Sequence, residues 1–436
     1  MTIFYRGMGQ MSAGIAAVVE LVERILRDGP GEPKSGPLTD SLAIFSIKDR
    51  GLALSGDAAD AYYGAIRALY QSLSARDQQR LSRRTVQNVV QQVVLDGLEM
   101  PGATPHVRRR VVRNAMADGL KKPDRTWTFY APIRHLRVGP RLRQFGGVIF
   151  RDSSAAVIAR LQARGNSIFL GSADPSPQKV QRADQFKSHV DDALKGAALA
   201  EFVVRAADLD AATALAHGQL EKCLDAIAFC SSVTHQLGTV GVPAFHSLER
   251  PGALVAKFGD DGSFSFNPWR KPDLVLDLST LFKASAAPLT RKVSRLCSLA
   301  DPVGLDDRLV TAICWAGRAM NRLRPAEGFL GCLIALESLL LGPKGEGELT
   351  YRLCVRGGHL IAKRNPESRL VIAREIRSLY AIRSGIVHSG HATVPAEKLE
   401  TAQRYVKLAL LTLLVGRRRP KPGQDLEDWF ERKVMN

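Results

Sequence analysis

Closely spaced cysteines are missing from this chain. Its six cysteines stand at 223, 230, 297, 314, 332 and 354 of 436 residues with no CxxC pair, which excludes zinc-ribbon and zinc-finger spacings. Most have apolar neighbours, as in Ile313-Cys314-Trp315, the setting of small buried thiols in a reducing compartment. Long apolar runs are missing as well. The longest, Leu408 to Val415, is far short of the ~20 residues a spanning helix needs. Met11 to Val19 is followed at once by Glu20, Glu23 and Arg24, the mark of an amphipathic helix and not of a secretory signal. A cytoplasmic protein is the expectation. The glycine-rich stretch Gly342-Pro-Lys-Gly-Glu-Gly347 lacks a Gly-Lys-Ser/Thr ending, and no GxSxG is present, so phosphate-loop and serine-hydrolase readings have no footing. His106, His135, His189, His217, His235, His246 and His359 are scattered without an HxxxH pair or a carboxylate at ligand spacing. Neither a metal nor another cofactor is expected.

What the chain does have is positive charge. With 61 Lys+Arg against 43 Asp+Glu, its formal net charge is +18, which attracts polyanions without naming one. Residues 81–150 hold 13 Lys+Arg against 4 Asp+Glu, a net of +9 and half of the excess. Arg108, Arg109, Arg110 and Arg113 cluster there, then Lys121 and Lys122, then Arg134 and Arg137, with Trp127, Phe129 and Tyr130 interleaved. Arginine with aromatics clamps phosphates and stacks bases, so these eight cations are candidate nucleic-acid contacts. A solvated basic face accounts for the same charge.

The hydrophobic fraction of 45% suits a packed globular protein. Residues 1–125 read as helical, with Val18, Val22 and Ile25 at helical steps. Residues 126–285 read as a mixed α/β domain. Its strand candidates are Thr126 to Pro132, Gly146 to Arg151, Ser167 to Gly171 and Ala200 to Ala206, and Asp208 starts a helix. Phe264 to Phe266 and Leu274 to Leu278 close the region as strands or strand-like turns. Residues 286–416 read as a helical bundle of five short-looped helices, beginning near Leu309, Phe329, Leu349, Leu370 and Ala396. A polar tail, 417–436, includes a short Leu426 to Phe430 segment suited to docking. The expected class is therefore α+β multidomain and mainly helical.

The most informative stretch is Ile376-Arg-Ser-Leu-Tyr-Ala-Ile-Arg-Ser-Gly-Ile-Val-His-Ser-Gly-His391, where Arg383 precedes His388 by five positions and Ser384 follows the arginine. This resembles the R-x4–6-H signature of the HEPN superfamily. The fuller string from Leu379 to Gly390 is similar to its Apea-like branch. Gly331 to Leu341, an apolar helix bearing the single Glu337, and the helix start at Leu349 agree with that resemblance. It covers the C-terminal region, about 290–416, and nothing before it.

On a straight helix, residues five apart point about 140° away from each other. Arg383 and His388 converge only if the helix ends between them, for which Gly385 and Gly390 are the expected break. An imidazole accepts and returns a proton near neutral pH, and a guanidinium matches a phosphate or developing phosphorane. The resemblance implies a metal-independent endoribonuclease driven by 2′-hydroxyl attack, acting on RNA as a homodimer with two motifs in one cleft, in the setting of anti-phage defence. Arg383 then stabilises the anion, His388 is general acid and base, and Ser384 and Glu337 support them; His391 reads as an exposed loop residue.

Two other readings stand beside this one. In the first, the bundle is a non-catalytic nucleic-acid-binding or scaffold module that dimerises. Burial of Arg383 against Glu337 with His388 turned away is its signature. In the second, the chain partners an acidic protein, as one half of a toxin–antitoxin pair does.

Overall fold

A computed structural model of the protein describes residues 2–28, 42–47, 50–100, 103–171, 176–234, 256–258, 264–266, 276–283, 285–320, 324–341, 349–362, 365–389, 393–416, 420 and 425–435. The chain is mainly helical with a small antiparallel sheet. Among the described residues no helix is long and apolar enough to cross a membrane. Backbone contacts divide the chain into two compact units, 1–128 with 203–218, and 129–202 with 219–436. The α/β segment and the C-terminal bundle, read as separate domains from sequence, fall mostly within one unit.

The first unit opens with α1 (Thr2–Asp28), the hairpin β1 (Leu42–Ile47) and β2 (Arg50–Ser55), and α2 (Gly56–Ser72). Helices α3 (Ala75–Arg80), α4 (Arg83–Leu98) and α5 (Pro105–Leu120) follow. Ser74, Ser82 and Thr104 cap the last three by accepting from the backbone N–H three residues on, and Pro105 supplies the preset φ of a first helical turn. The helices bury one stripe each in a common core: Val18 and Val22, Tyr62 and Ile66, Val90 and Val94, Val112 and Met116. Charged groups close its edge, Arg80 meeting Asp124 at 2.8 Å.

After α5 come β3 (Arg125–Ile133), β4 (Leu136–Arg137), β5 (Arg143–Phe145), β6 (Val148–Asp152), α6 (Ala155–Leu170), α7 (Pro177–Leu194), β7 (Ala198–Ala206) and α8 (Leu209–Val233). The short strands β8 (Ala256–Phe258), β9 (Phe264–Phe266) and β10 (Leu276–Asp277) and the helical turn α9 (Leu278–Leu281) complete this region. The sheet order is β3-β7-β6-β5, with β6 antiparallel to both neighbours and Phe150 opposite Ala200. Asp208 starts α8 by accepting from the Ala211 N–H at 2.9 Å. The stretch from Ser167, expected as a strand, instead ends α6. A short apolar run does not tell strand from helix by itself, and here Val157, Ile158 and Leu161 continue it at helical steps onto Val190, Leu194 and Leu199.

The rest of the second unit is α10 (Ala287–Cys297), α11 (Leu305–Met320), α12 (Pro325–Leu340), α13 (Leu349–Ile361), α14 (Pro366–Ser389), α15 (Ala396–Leu414) and α16 (Leu426–Met435). The five helices expected in this region correspond to α11–α15. Helix α12 is apolar on nearly all sides, which marks a central helix; it packs against α11, α13, α14 and α15. Helix α11 approaches α8 so closely that a Cβ at Gly317 would run into the Asp225 carbonyl, and Arg318 pairs with the Asp225 carboxylate at 2.9 Å. The C-terminal tail docks as α16: Leu426, Trp429 and Phe430 are buried, and Glu427 binds Arg308, Arg352 and Arg356.

Candidate functional site

Helix α14 starts where Pro366 presets the backbone and the Asn365 side chain accepts from the Glu367 N–H at 2.9 Å. Ile376 and Leu379 are its fully buried residues. Arg383 lies seven and four positions beyond them, so it shares their core-facing side. Its guanidinium lies 5.5 Å from the centre of the Tyr380 ring, and its Nε is 3.5 Å from Oε1 of Glu337 on α12. Both side chains are mostly buried, 26% and 21% exposed.

That ion pair is longer than the ~2.7–2.9 Å of a charge-assisted hydrogen bond. Oε1 of Glu337 is buried without a hydrogen bond among the described residues. Burial pushes the Glu337 carboxyl above its ordinary value, and the Arg383 charge pulls it only partly back.

The expected helix break is not there. Helix α14 runs unbroken through Gly385 to Ser389. A Cβ at Gly385 would meet nothing within 4 Å, and the residue keeps helical geometry. His388 stands nine positions past Leu379, two and a half turns, so it is on the opposite side of the helix from the core and is exposed. Ser384 is four residues before His388 on that side and is part-buried. The structure thus brings Glu337 to Arg383, with Tyr380 as a neighbour that the sequence reading missed although it sits three residues away. It places Ser384 with His388, and does not bring His388 to Arg383. Gly390 and His391 lie outside the described residues.

The basic cluster is only partly available to a ligand. Arg108 donates to the carbonyls of Met100 at 3.1 Å and Ala103 at 3.0 Å, holding the turn before α5. Arg109 forms two bonds to Glu23 at 2.8 and 3.0 Å, and this hydrogen bonding holds the Glu23 carboxyl below its ordinary value. Lys121 pairs loosely with Asp118 at 3.4 Å. Arg110, Arg113 and Lys122 are exposed, and among the described residues none of their side chains has an ion-pair partner. Arg134 and Arg137 are exposed as well and belong to the second unit.

Among the described residues, no three His, Cys, Asp or Glu side chains gather as a metal-ligand set. Burial pushes the Cys223 and Cys230 thiols up to about 12, so neither is a nucleophile near neutral pH. No family model, curated protein or solved structure matches the chain.

Proposed function

We propose that this chain is a nucleic-acid-binding protein whose residues 286–416 form a HEPN-like module used for assembly and not for cutting. The register of α14 carries this reading. Arg383 turns inward to Glu337 while His388 faces solvent on the other side of an unbroken helix. A base and an anion stabiliser that act on one phosphate need to converge on it, and within one chain these two do not. The net charge of +18 and the exposed Arg110, Arg113 and Lys122 support a polyanionic ligand, with RNA as the leading candidate.

A second reading, the metal-independent endoribonuclease, is favoured by one observation. Glu337 is a mostly buried carboxylate whose Oε1 has a long ion-pair contact to Arg383 but no hydrogen bond among the described residues, and its pKa is raised; such groups gather at functional sites. In that reading two copies pair so that His388 of one faces Arg383 of the other. The RNA 2′-oxygen then bonds to phosphorus, the bond to the 5′-oxygen breaks, and the proton passes from the 2′-hydroxyl to the leaving oxygen.

One experiment separates the readings. Total RNA and tRNA are incubated in EDTA with the wild type, Arg383→Ala and His388→Ala, and RNA binding is titrated against salt in parallel. Binding that weakens steeply with salt, without cleavage, is the expected result. Metal-free cleavage abolished by both substitutions overturns it in favour of the nuclease. Failure to bind RNA at low salt removes both readings and leaves an acidic protein partner.

A further inference from the structure

Helix α10 buries Leu289, Val293 and Leu296 on one side and leaves Arg291, Ser294, Arg295 and Ser298 along the other. These four follow three- and four-residue steps, so their side chains line one strip. The turn between β5 and β6 lies against that strip. Gly146 and Gly147 adopt left-handed φ values of +58° and +83°, which glycine alone adopts without strain. A Cβ on Gly146 would come within 2.6 Å of the Cys223 sulfur and 2.9 Å of the Cys297 Cβ. The turn is therefore seated as closely as the backbone permits. The Gly146 N–H donates to Ser294 Oγ at 3.0 Å, and the Gln219 side-chain amide donates to the Gly146 carbonyl.

This arrangement frames an open cleft of about 280 Å³ between the turn and α10, lined by Gln144, Phe282, Arg291, Ser294, Arg295 and Ser298 among others. The cleft has no carboxylate in its lining. Among the described residues neither Arg291 nor Arg295 has an ion-pair partner. Because Ser294 Oγ accepts from Gly146, its own proton is left to donate. Phe282 gives the cleft an aromatic wall, braced by the Arg143 guanidinium 5.7 Å from its ring centre. Two uncompensated guanidinium groups one helical turn apart, the Ser294 hydroxyl and an aromatic wall are complementary to a phosphate attached to a flat ring; the Ser298 hydroxyl donates instead to the Arg295 carbonyl at 2.7 Å. The volume is near the lower end of small-molecule sites, about 300–1,000 Å³, and a bare phosphate would leave most of it empty.

We propose that this cleft binds a nucleoside 5′-phosphate, with the phosphate on Arg291 and Arg295 and the base or sugar against Phe282. The site is lined by no residue of α14, so it does not depend on the function proposed above. Two sources supply this chemistry, a free nucleotide and the 5′-phosphorylated end of an RNA.

Calorimetric titration of the full chain tests the proposal, with AMP, adenosine, inorganic phosphate, and a trinucleotide RNA with and without its 5′-phosphate. AMP or the phosphorylated trinucleotide is expected to bind, and whichever binds more tightly identifies the source. Arg291→Ala and Arg295→Ala should each weaken that binding by about tenfold or more, as loss of a charged hydrogen bond implies. Both arginines are exposed, so these variants are expected to fold, and a thermal melt checks it. Phe282→Ala should narrow the margin by which AMP exceeds inorganic phosphate. The proposal is overturned if neither nucleotide binds, if inorganic phosphate binds as tightly as AMP, or if both arginine variants bind like the wild type.

Discussion

Glu427 on α16 holds three guanidinium groups, Arg308 at 3.0 Å, Arg352 at 3.2 Å and Arg356 at 2.5 Å, and Arg356 also lies over the Phe430 ring. Glu337 on α12 holds only Arg383, at 3.5 Å, and keeps one buried oxygen without a hydrogen bond among the described residues. Both carboxylates join helices of the same unit, and both are mostly buried. The first is surrounded, so its desolvation is offset by several charge-assisted bonds. The second recovers less than its burial costs, as its raised pKa records. Helix α16 is therefore clamped by its carboxylate. Helices α12 and α14 are held by apolar packing, through residues such as Leu336 and Leu340 on one and Ile376 and Leu379 on the other.

The largest test of this contrast is Glu427→Gln. It removes the negative charge that three arginines share, one of them only 9% exposed, while Arg308 and Arg356 keep their bonds to the Ser338 and Leu340 carbonyls. The expected loss is about 2–3 kcal/mol of unfolding free energy. That is below the full cost of breaking a buried pair because the carboxylate is a quarter exposed. Denaturant unfolding measures it, and a loss under about 0.5 kcal/mol would show that Glu427 is no clamp. Arg383→Ala is expected to cost about 1 kcal/mol, from lost packing on Tyr380 and a carboxylate left alone. If it costs as much as Glu427→Gln, the two sites are equivalent and the contrast fails.

A third test uses pH. The folded-state pKa of Glu337 is raised above its ordinary value of 4.5, so between the two values the folded state binds more protons than the unfolded chain. Its contribution to stability is fully present below the ordinary value and is lost as pH rises through the folded one. Glu337→Gln removes that dependence. The variant should therefore gain on the wild type as pH rises from about 4 towards neutrality. A variant that instead loses ground over this range would mean that Arg383 stabilises the carboxylate fully. Glu23 has the opposite sign, because its hydrogen-bonded partner Arg109 lowers its pKa. Its contribution is present above the ordinary carboxylate value and is lost as pH falls.

Helices α11–α15 were legible because each repeats apolar residues at helical steps over three or more turns, and the apolar residues from Leu426 to Phe430 pointed to docking. Strands β3, β6 and β7 were legible from β-branched and aromatic residues. What escaped notice depended on distant partners or on single residues. Ser167 was misread because four apolar or small residues fit either element. Gly385 looked like a break, yet a helical glycine costs only about 1 kcal/mol, which surrounding packing overrides. Arg109 looked free because its partner, Glu23, is 86 residues away. The cleft beside Arg291 and Arg295 was hidden because its other wall is a turn 148 residues from Ser294.

The smallest expected effect belongs to His388→Ala. This side chain is exposed, on the opposite side of α14 from Leu379, and it makes no bond to Glu337 or Arg383 among the described residues. Its removal should change stability by no more than about 0.5 kcal/mol. In the binding reading RNA affinity is also unchanged, so His388→Ala is silent while Arg383→Ala is measurably destabilised. In the cutting reading it is silent in stability but abolishes cleavage, which neither fold nor packing would account for. The same variant measured by unfolding and by RNA cleavage in EDTA therefore decides whether the inward arginine and the outward histidine are unrelated or are the halves of one site shared between two copies.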